Sequence, residues 1–133
     1  IDYDPPNNLV RIQYSGRLSA TFVLETIERV ISSDSYRPGM SGIYDISHAE
    51  LSDIDHIQAE TLAADIARLA RGRIARPRVA LVSHNELNFH LASLFRELYN
   101  DGHTKLNLFS SSQEAESWLS QASDSSSGLS VKD

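Results

Sequence analysis

The chain contains no cysteine, so disulfide bonds and thiolate metal sites are excluded. It also lacks an apolar run of the roughly 20 residues that a membrane helix needs. Cations are too few for general nucleic-acid binding, since 18 acidic residues outnumber 12 basic ones and the formal net charge is −6. The N-terminus, Ile1 to Asp4, has neither the basic start nor the apolar core of a secretion signal. We therefore expect a cytoplasmic protein that has no membrane span and binds no nucleic acid.

The length of 133 residues suits one domain, because a domain of about 150 residues already buries close to 70% of the surface that its unfolded chain exposes. Residues 123–128 are only Ser, Asp and Gly. Such a stretch offers too little apolar surface to offset the entropy lost on ordering. We predict one domain over residues 1–122 and a flexible tail over residues 123–133.

Strand-like and helix-like segments alternate along the chain, which is typical of an α/β layer protein. The cluster Pro5-Pro6-Asn7-Asn8 separates the first two strands, so they should form an antiparallel hairpin. Right-handed crossovers then connect the later strands. The fold prediction is a single α/β domain with a mixed, mostly parallel five-stranded sheet in the order β-β-α-β-α-β-α-β-α and helices packed on it. The strands are expected near residues 1–4, 9–15, 43–46, 78–83 and 105–109, and the helices near residues 19–31, 53–71, 84–98 and 111–122.

Several local patterns make this prediction specific. The run Val79-Ala80-Leu81-Val82 is typical of a strand covered on both faces, so we place it at the centre of the sheet. Ser83 and Glu86 have the spacing of a capping box at the start of the third helix. The core stripe of that helix should contain Leu87, Leu91, Leu94, Phe95 and Leu98, and Ile57 should belong to the stripe of the helix before it.

Polar side chains gather where two predicted strands end. Ligands of open α/β sheets tend to bind at the carboxyl ends of the strands, so these side chains are candidates for a rim that contacts a partner or a small ligand. A purely structural role is the alternative, because helix starts favour Ser and Asp without any function. The candidate rim consists of Asp45, Ser47, His48, Asp53, Ser83 and His84.

Two other interpretations of these side chains were weighed. A hydrolase could use Ser83, His84, His48 and Asp45, but neither a nucleophile-elbow motif nor a Gly-rich oxyanion loop is present. The histidines do not have the four-residue spacing that places two metal ligands on one helical face. We therefore expect no metal, no cofactor and no enzymatic activity.

Five of the twelve basic residues are arginines that lie within eleven positions. Arginines at the end of a helix complement its dipole, which is one explanation. The other is a patch that binds an anion, such as a lipid headgroup, or an acidic partner, because guanidinium groups pair with carboxylates and phosphates. The cluster consists of Arg68, Arg71, Arg73, Arg76 and Arg78.

Three short motifs carry a family resemblance. They are the turn Tyr36-Arg37-Pro38-Gly39, the strand end Tyr44-Asp45-Ile46-Ser47, and the closing helix with Glu114-Ala115 and Trp118-Leu119. In this order, and with a second aspartate eight positions after the first, the chain resembles the STAS domain, and within it the small bacterial SpoIIAA-like, STAS/SEC14-like proteins. The resemblance covers about residues 1–122 and implies the fold predicted above.

The resemblance also implies a mechanism that this chain lacks. In the anti-sigma-factor antagonists of the family, a phosphorylatable serine follows the second aspartate, and a glycine stands two positions after it. Here Ile54 and His56 occupy those places. Switching by phosphorylation at that position is therefore excluded, whereas Ser52 and the tail serines stay open to modification.

The expected function is a non-catalytic protein-interaction or regulatory module in bacterial signalling. The alternative, suggested by the SEC14-like side of the resemblance, is a carrier of a small apolar or lipid-like ligand. It requires a cavity of several hundred cubic ångströms between the sheet and the helices, lined by residues such as Leu62, Ile66, Leu91 and Phe95. A hydrolase ranks third. A protein partner, a second copy of the chain and a small apolar ligand remain open as binding partners.

Overall fold

Five strands form one sheet in the computed structural model, which describes residues 1–37, 39–70, 77–99 and 104–120. The strands lie in the sheet in their order along the chain. The first pair is antiparallel and the other three pairs are parallel, so the sheet is mixed. The prediction of a single α/β domain with a five-stranded mixed sheet is confirmed. The strands are β1 (Asp2–Asp4), β2 (Leu9–Arg17), β3 (Ser41–Glu50), β4 (Arg78–Val82) and β5 (Lys105–Phe109).

Four helices follow the last four strands, as predicted. They are α1 (Ala20–Ser32), α2 (His56–Ala70), α3 (Glu86–Leu98) and α4, which is helical over residues 112–120. Because the parallel strands follow one another in chain order, right-handed crossovers place α1, α2 and α3 on the same face of the sheet. We call this the cavity face, and it carries Val10, Ile12 and Tyr14 of β2. The predicted tail, residues 123–133, lies outside the described residues.

The helix α4 covers the opposite face of the sheet. Its Ala115 is fully buried, and Trp118 and Leu119 pack beside it. The indole ring of Trp118 lies 5.4 Å from the ring of Phe109, centroid to centroid. This second face is therefore a separate apolar layer. Its buried residues on the strands are Leu9, Ile43, Ala80 and Val82.

The middle of the sheet is β3, so the prediction that the Val79–Val82 segment lies at the centre is wrong. That segment, β4, is interior and has helices on both faces, which accounts for its continuous apolar run. A strand that is covered by helices on both faces must be interior, but it need not be the middle strand of the sheet. The hairpin strand β1 adds a strand beyond β2 and thereby moves the middle to β3.

Two helix starts differ from their predictions. Asn85, not Ser83, caps α3, and its Oδ1 accepts hydrogen bonds from the N–H groups of Leu87 and Asn88. Leu87 therefore falls in the first turn, where 76% of it is exposed, and it does not belong to the core stripe. The helix α2 begins at His56 rather than near residue 53, and Ile57 in its first turn is 74% exposed. The periodicity of apolar residues identified both helices. The position of the N-cap, however, determines which residues fall in the exposed first turn.

No helix in the described parts of the chain is both long enough and apolar enough to cross a bilayer.

Candidate functional site

A bulge near the end of β3 shapes the carboxyl edge of the sheet. Gln13 pairs with Asp45 but Ser15 pairs with His48, so β3 contains one residue more than β2 between these pairs. The buried side chain of Asn88 on α3 fills the irregularity. Its Nδ2 donates to the carbonyls of Ile46 and Ala49, at 2.8 Å each. A single amide thus satisfies two carbonyls around the bulge.

The bulge brings part of the predicted rim together. The Ser47 hydroxyl is buried and accepts a hydrogen bond from the backbone N–H of His84 at 3.2 Å. Asp45 Oδ1 accepts from the N–H of Ser47 at 2.9 Å. The exposed imidazoles of His48 and His84 lie edge to face, with ring centroids 5.5 Å apart. The carboxyl ends of β3 and β4 are neighbours, and four predicted residues meet there.

Ser83 also lies at this edge, but its hydroxyl forms its hydrogen bonds with the nearby backbone of Asn85. It is buried, donates to the Asn85 carbonyl at 3.0 Å and accepts from the Asn85 N–H at 3.1 Å. Within the described residues neither Ser47 nor Ser83 has a hydrogen bond to an imidazole. A nucleophilic serine needs a base within hydrogen-bond reach, and this edge does not offer that geometry.

Asp53 lies apart from the rim, in an ion pair with Arg17 at the end of β2. The guanidinium is bidentate, with Nε 2.6 Å and Nη2 2.8 Å from the two carboxylate oxygens. The hydrogen bonds from Arg17 hold the pKa of Asp53 below its ordinary value of 3.8. Asp53 therefore ties the β3–α2 connection to β2.

Replacing Arg17 by alanine is expected to return the pKa of Asp53 towards its ordinary value. Because the folded-state pKa is depressed, the ion pair stabilises the fold above the unfolded-state value, and this contribution is lost as the pH falls through the folded-state value. The stability difference between wild type and variant should thus be present at neutral pH and vanish in strong acid. Carboxyl NMR titration measures the pKa, with Arg68→Ala as the control. An unchanged Asp53 titration in Arg17→Ala would contradict the assignment.

The predicted arginine patch is only partly within the described residues, because Arg71, Arg73 and Arg76 lie outside them. Arg68 pairs with Asp65 one turn earlier on α2, at 2.9 Å. The guanidinium carbon of Arg78 lies 5.4 Å from the ring centroid of Trp118, on the second face of the sheet. These two arginines thus have separate local partners. Among the described side chains no group of three or more His, Cys, Asp or Glu could hold a metal ion.

A cavity of about 190 Å³ lies between the cavity face and helices α1, α2 and α3. The cavity wall includes the four residues that the ligand-carrier hypothesis names. The cavity volume, however, is below the several hundred cubic ångströms that this hypothesis requires. In the described parts of the chain no charged side chain lines it, and the polar side chains in the wall are tyrosines and one threonine. The four expected residues are Leu62, Ile66, Leu91 and Phe95.

Ile54 is 9% exposed and belongs to this wall. It directly follows Asp53, at the position where the antagonists of the resembled family carry their serine. Its backbone N–H donates to the Leu51 carbonyl at 3.0 Å, and Leu51 lines the cavity as well. Ile54 thus supplies apolar surface to the cavity.

Two tyrosines in the wall were not foreseen as site residues. Burial raises the pKa of Tyr14 to about 12, and burial also raises the pKa of Tyr44. The Tyr44 ring lies across Gly42, where an added Cβ would be 2.7 Å from Tyr44 Cε1. A usable signal was in the sequence: Tyr14 continues the buried alternation of Val10 and Ile12, so its hydroxyl had to enter an apolar layer.

Comparisons with protein-family models, with curated proteins and with solved structures found no match, so the resemblance to STAS and SpoIIAA-like proteins stays a prediction from the sequence motifs.

Proposed function

We propose that this protein is a non-catalytic binding module, with a SpoIIAA-like fold, that holds a small apolar ligand between its sheet and helices α1 to α3. The observation that carries the proposal is the cavity of about 190 Å³ with an apolar wall. Well-packed interiors contain few voids larger than a water molecule, so a space of this size with a mostly apolar wall is a candidate ligand site. The apolar wall supports the ligand carrier, but the volume is below the several hundred cubic ångströms expected for it, so the proposal is restricted to a smaller ligand.

The volume limits the ligand. A cavity of about 150 Å³ holds benzene, whereas sites for drug-sized molecules are about 300–1,000 Å³. At about 190 Å³ the cavity suits one ring with a short substituent, or a short branched chain. A lipid with two acyl chains is too large to be enclosed. The lipid-like form of the carrier hypothesis is therefore not part of the proposal.

Titration with α-methylstyrene, an uncharged one-ring hydrocarbon, tests the proposal. A ligand that binds only the folded state raises the unfolding temperature as its concentration passes the dissociation constant. We expect this rise, together with NMR shifts at Leu62 and Phe95 in the cavity wall. His48 on the exposed rim serves as the internal control and should stay unshifted. If saturating titrations with this hydrocarbon and with its ketone analogue acetophenone both leave the unfolding temperature unchanged, or shift only surface resonances, the proposal is rejected.

An interaction module is the second candidate, and the observation that favours it lies at the start of α3. Leu87 and Phe89 are 76% and 37% exposed, close in sequence to His84 of the rim. Exposed apolar side chains that lie together mark contact sites more often than isolated ones do. If this surface joins two copies of the chain, sedimentation velocity will detect a dimer that Leu87→Ser weakens. A monomer at about 100 µM, well above the micromolar range, excludes self-association through this surface.

A further inference from the structure

The hydroxyl of Tyr14 is an unusual group in the cavity wall, because it is buried and has no hydrogen-bond partner among the described residues. The neighbouring Thr26 hydroxyl donates to the Phe22 carbonyl at 2.7 Å and partly offsets the effect of burial on the pKa of Tyr14, but the Tyr14 and Thr26 hydroxyls do not meet the geometry of a hydrogen bond. Buried hydroxyls are nearly always paired with protein or water. An unpaired one in a cavity wall needs a partner from within the cavity, which is either water or the oxygen of a ligand.

Tyr44 on the adjacent strand β3 adds a second hydroxyl. No hydrogen bond offsets the effect of burial on the pKa of Tyr44, and the nearby phenols of Tyr14, Tyr36 and Tyr3 raise it further. The close approach to Gly42 fixes the position of its ring. Both Tyr14 and Tyr44 are therefore protonated at neutral pH, and both line the cavity.

The remaining polar groups of the wall are Tyr36, Tyr99 and Thr104. Each of them takes part in a further polar, aromatic or electrostatic interaction. No carboxylate, amine, guanidinium or imidazole is present in the described part of the wall to compensate a charged ligand. An uncompensated charge in such a site is far more costly than a neutral polar group.

We propose that the ligand of this cavity is an uncharged molecule with one oxygen acceptor, such as a ketone or an aldehyde, and that the hydroxyls of Tyr14 and Tyr44 bind this oxygen. The inference rests on the proposed function, since it names the ligand class of the same cavity. The rest of the ligand is apolar, because most of the wall is.

The test compares two probes of nearly equal shape. Acetophenone and α-methylstyrene differ in a single group, a carbonyl oxygen in one and a methylene in the other. In the double variant Tyr14→Phe/Tyr44→Phe, we expect acetophenone to bind about 30-fold more weakly, the factor that two lost hydrogen bonds supply. Binding of α-methylstyrene should change by less than about twofold. The control Tyr3→Phe removes a phenol that lies near the cluster but does not line the cavity, and it should affect neither probe.

Benzoate, which replaces the methyl ketone by a carboxylate of similar shape, should not bind at neutral pH. The results distinguish failure of the proposed function, a ligand in the cavity, from failure of the acceptor assignment, an oxygen bound by the two hydroxyls. If neither α-methylstyrene nor acetophenone binds the wild type, the cavity is not a ligand site and both are overturned. If either probe binds, but acetophenone is insensitive to the two hydroxyls or both probes weaken equally, only the acceptor assignment is overturned. Benzoate binding as tight as that of acetophenone overturns the uncharged class.

Discussion

Replacing Val79 by phenylalanine should weaken α-methylstyrene binding by roughly 5- to 150-fold while the protein remains folded. Val79 lies on the interior strand β4 and lines the cavity. It is only partly buried although helices cover both faces of this strand, because part of its surface faces the cavity. A phenyl ring at this position would occupy the space of the ligand. A ligand bound beside this ring would overpack the cavity, which costs about 1–3 kcal/mol of binding free energy. This corresponds to roughly a 5- to 150-fold loss of affinity.

The matched variant Val79→Ala should behave in the opposite way. It enlarges the cavity and removes apolar contacts, so it should lower the free energy of unfolding and still bind the probe. Val79→Phe, which adds buried apolar surface, should unfold no more readily than the wild type in the absence of ligand. Isothermal titration and urea denaturation measure the two effects. If both variants lose binding, or if Val79→Phe loses stability as Val79→Ala does, disruption of the fold explains the result and the cavity does not.

Replacing Asn88 by alanine should lower the free energy of unfolding by about 3 kcal/mol. The Asn88 amide donates to two carbonyls at the β3 bulge, those of Ile46 and Ala49, and its side chain is 3% exposed. Leaving one buried acceptor unsatisfied costs about 1–3 kcal/mol, and here two are affected. Urea denaturation measures the loss from the shift in midpoint at constant slope.

Asn107→Ala is the control for this substitution. Asn107 Oδ1 accepts from Arg96 at 3.1 Å and from the N–H of Leu108 at 2.9 Å, but it is only partly buried, so water can replace the lost bonds. We expect a loss below about 1 kcal/mol for the control. A loss as small for Asn88→Ala would mean that water reaches the bulge carbonyls. The amide would then not be what holds α3 to β3.

The order of strands and helices was predictable because apolar periodicity reports directly which side of an element is buried. Helix starts were less predictable, since Ser83 and Asn85 are both good caps and only the path of the chain after β4 selects one of them. Leu87 was assigned to the core stripe for this reason. The position of β4 within the sheet also depends on the hairpin strand β1, which is far from it in sequence.

The candidate site was predictable in part. That His48 and His84 would meet followed from the rule that the carboxyl ends of parallel strands share an edge. The separation of Asp53 from these histidines did not follow from this rule. Its partner Arg17 lies 36 residues earlier in the sequence and contacts Asp53 only in the folded sheet. The cavity was beyond prediction for another reason. Leu62, Ile66, Leu91 and Phe95 have the periodicity of core residues whether the space between them is filled or empty.

The placement of α4 has a consequence for how the protein is made. The second face of the sheet carries Leu9, Ile43, Ala80 and Val82, and the helix that covers them is formed by residues 112–120. A ribosome releases the strands of this face before it releases that helix. Each nascent chain therefore passes through a stage in which β2, β3 and β4 can already pair while one apolar side of the sheet is bare. Residues 112–120 thus determine how long the growing chain is exposed to aggregation during translation.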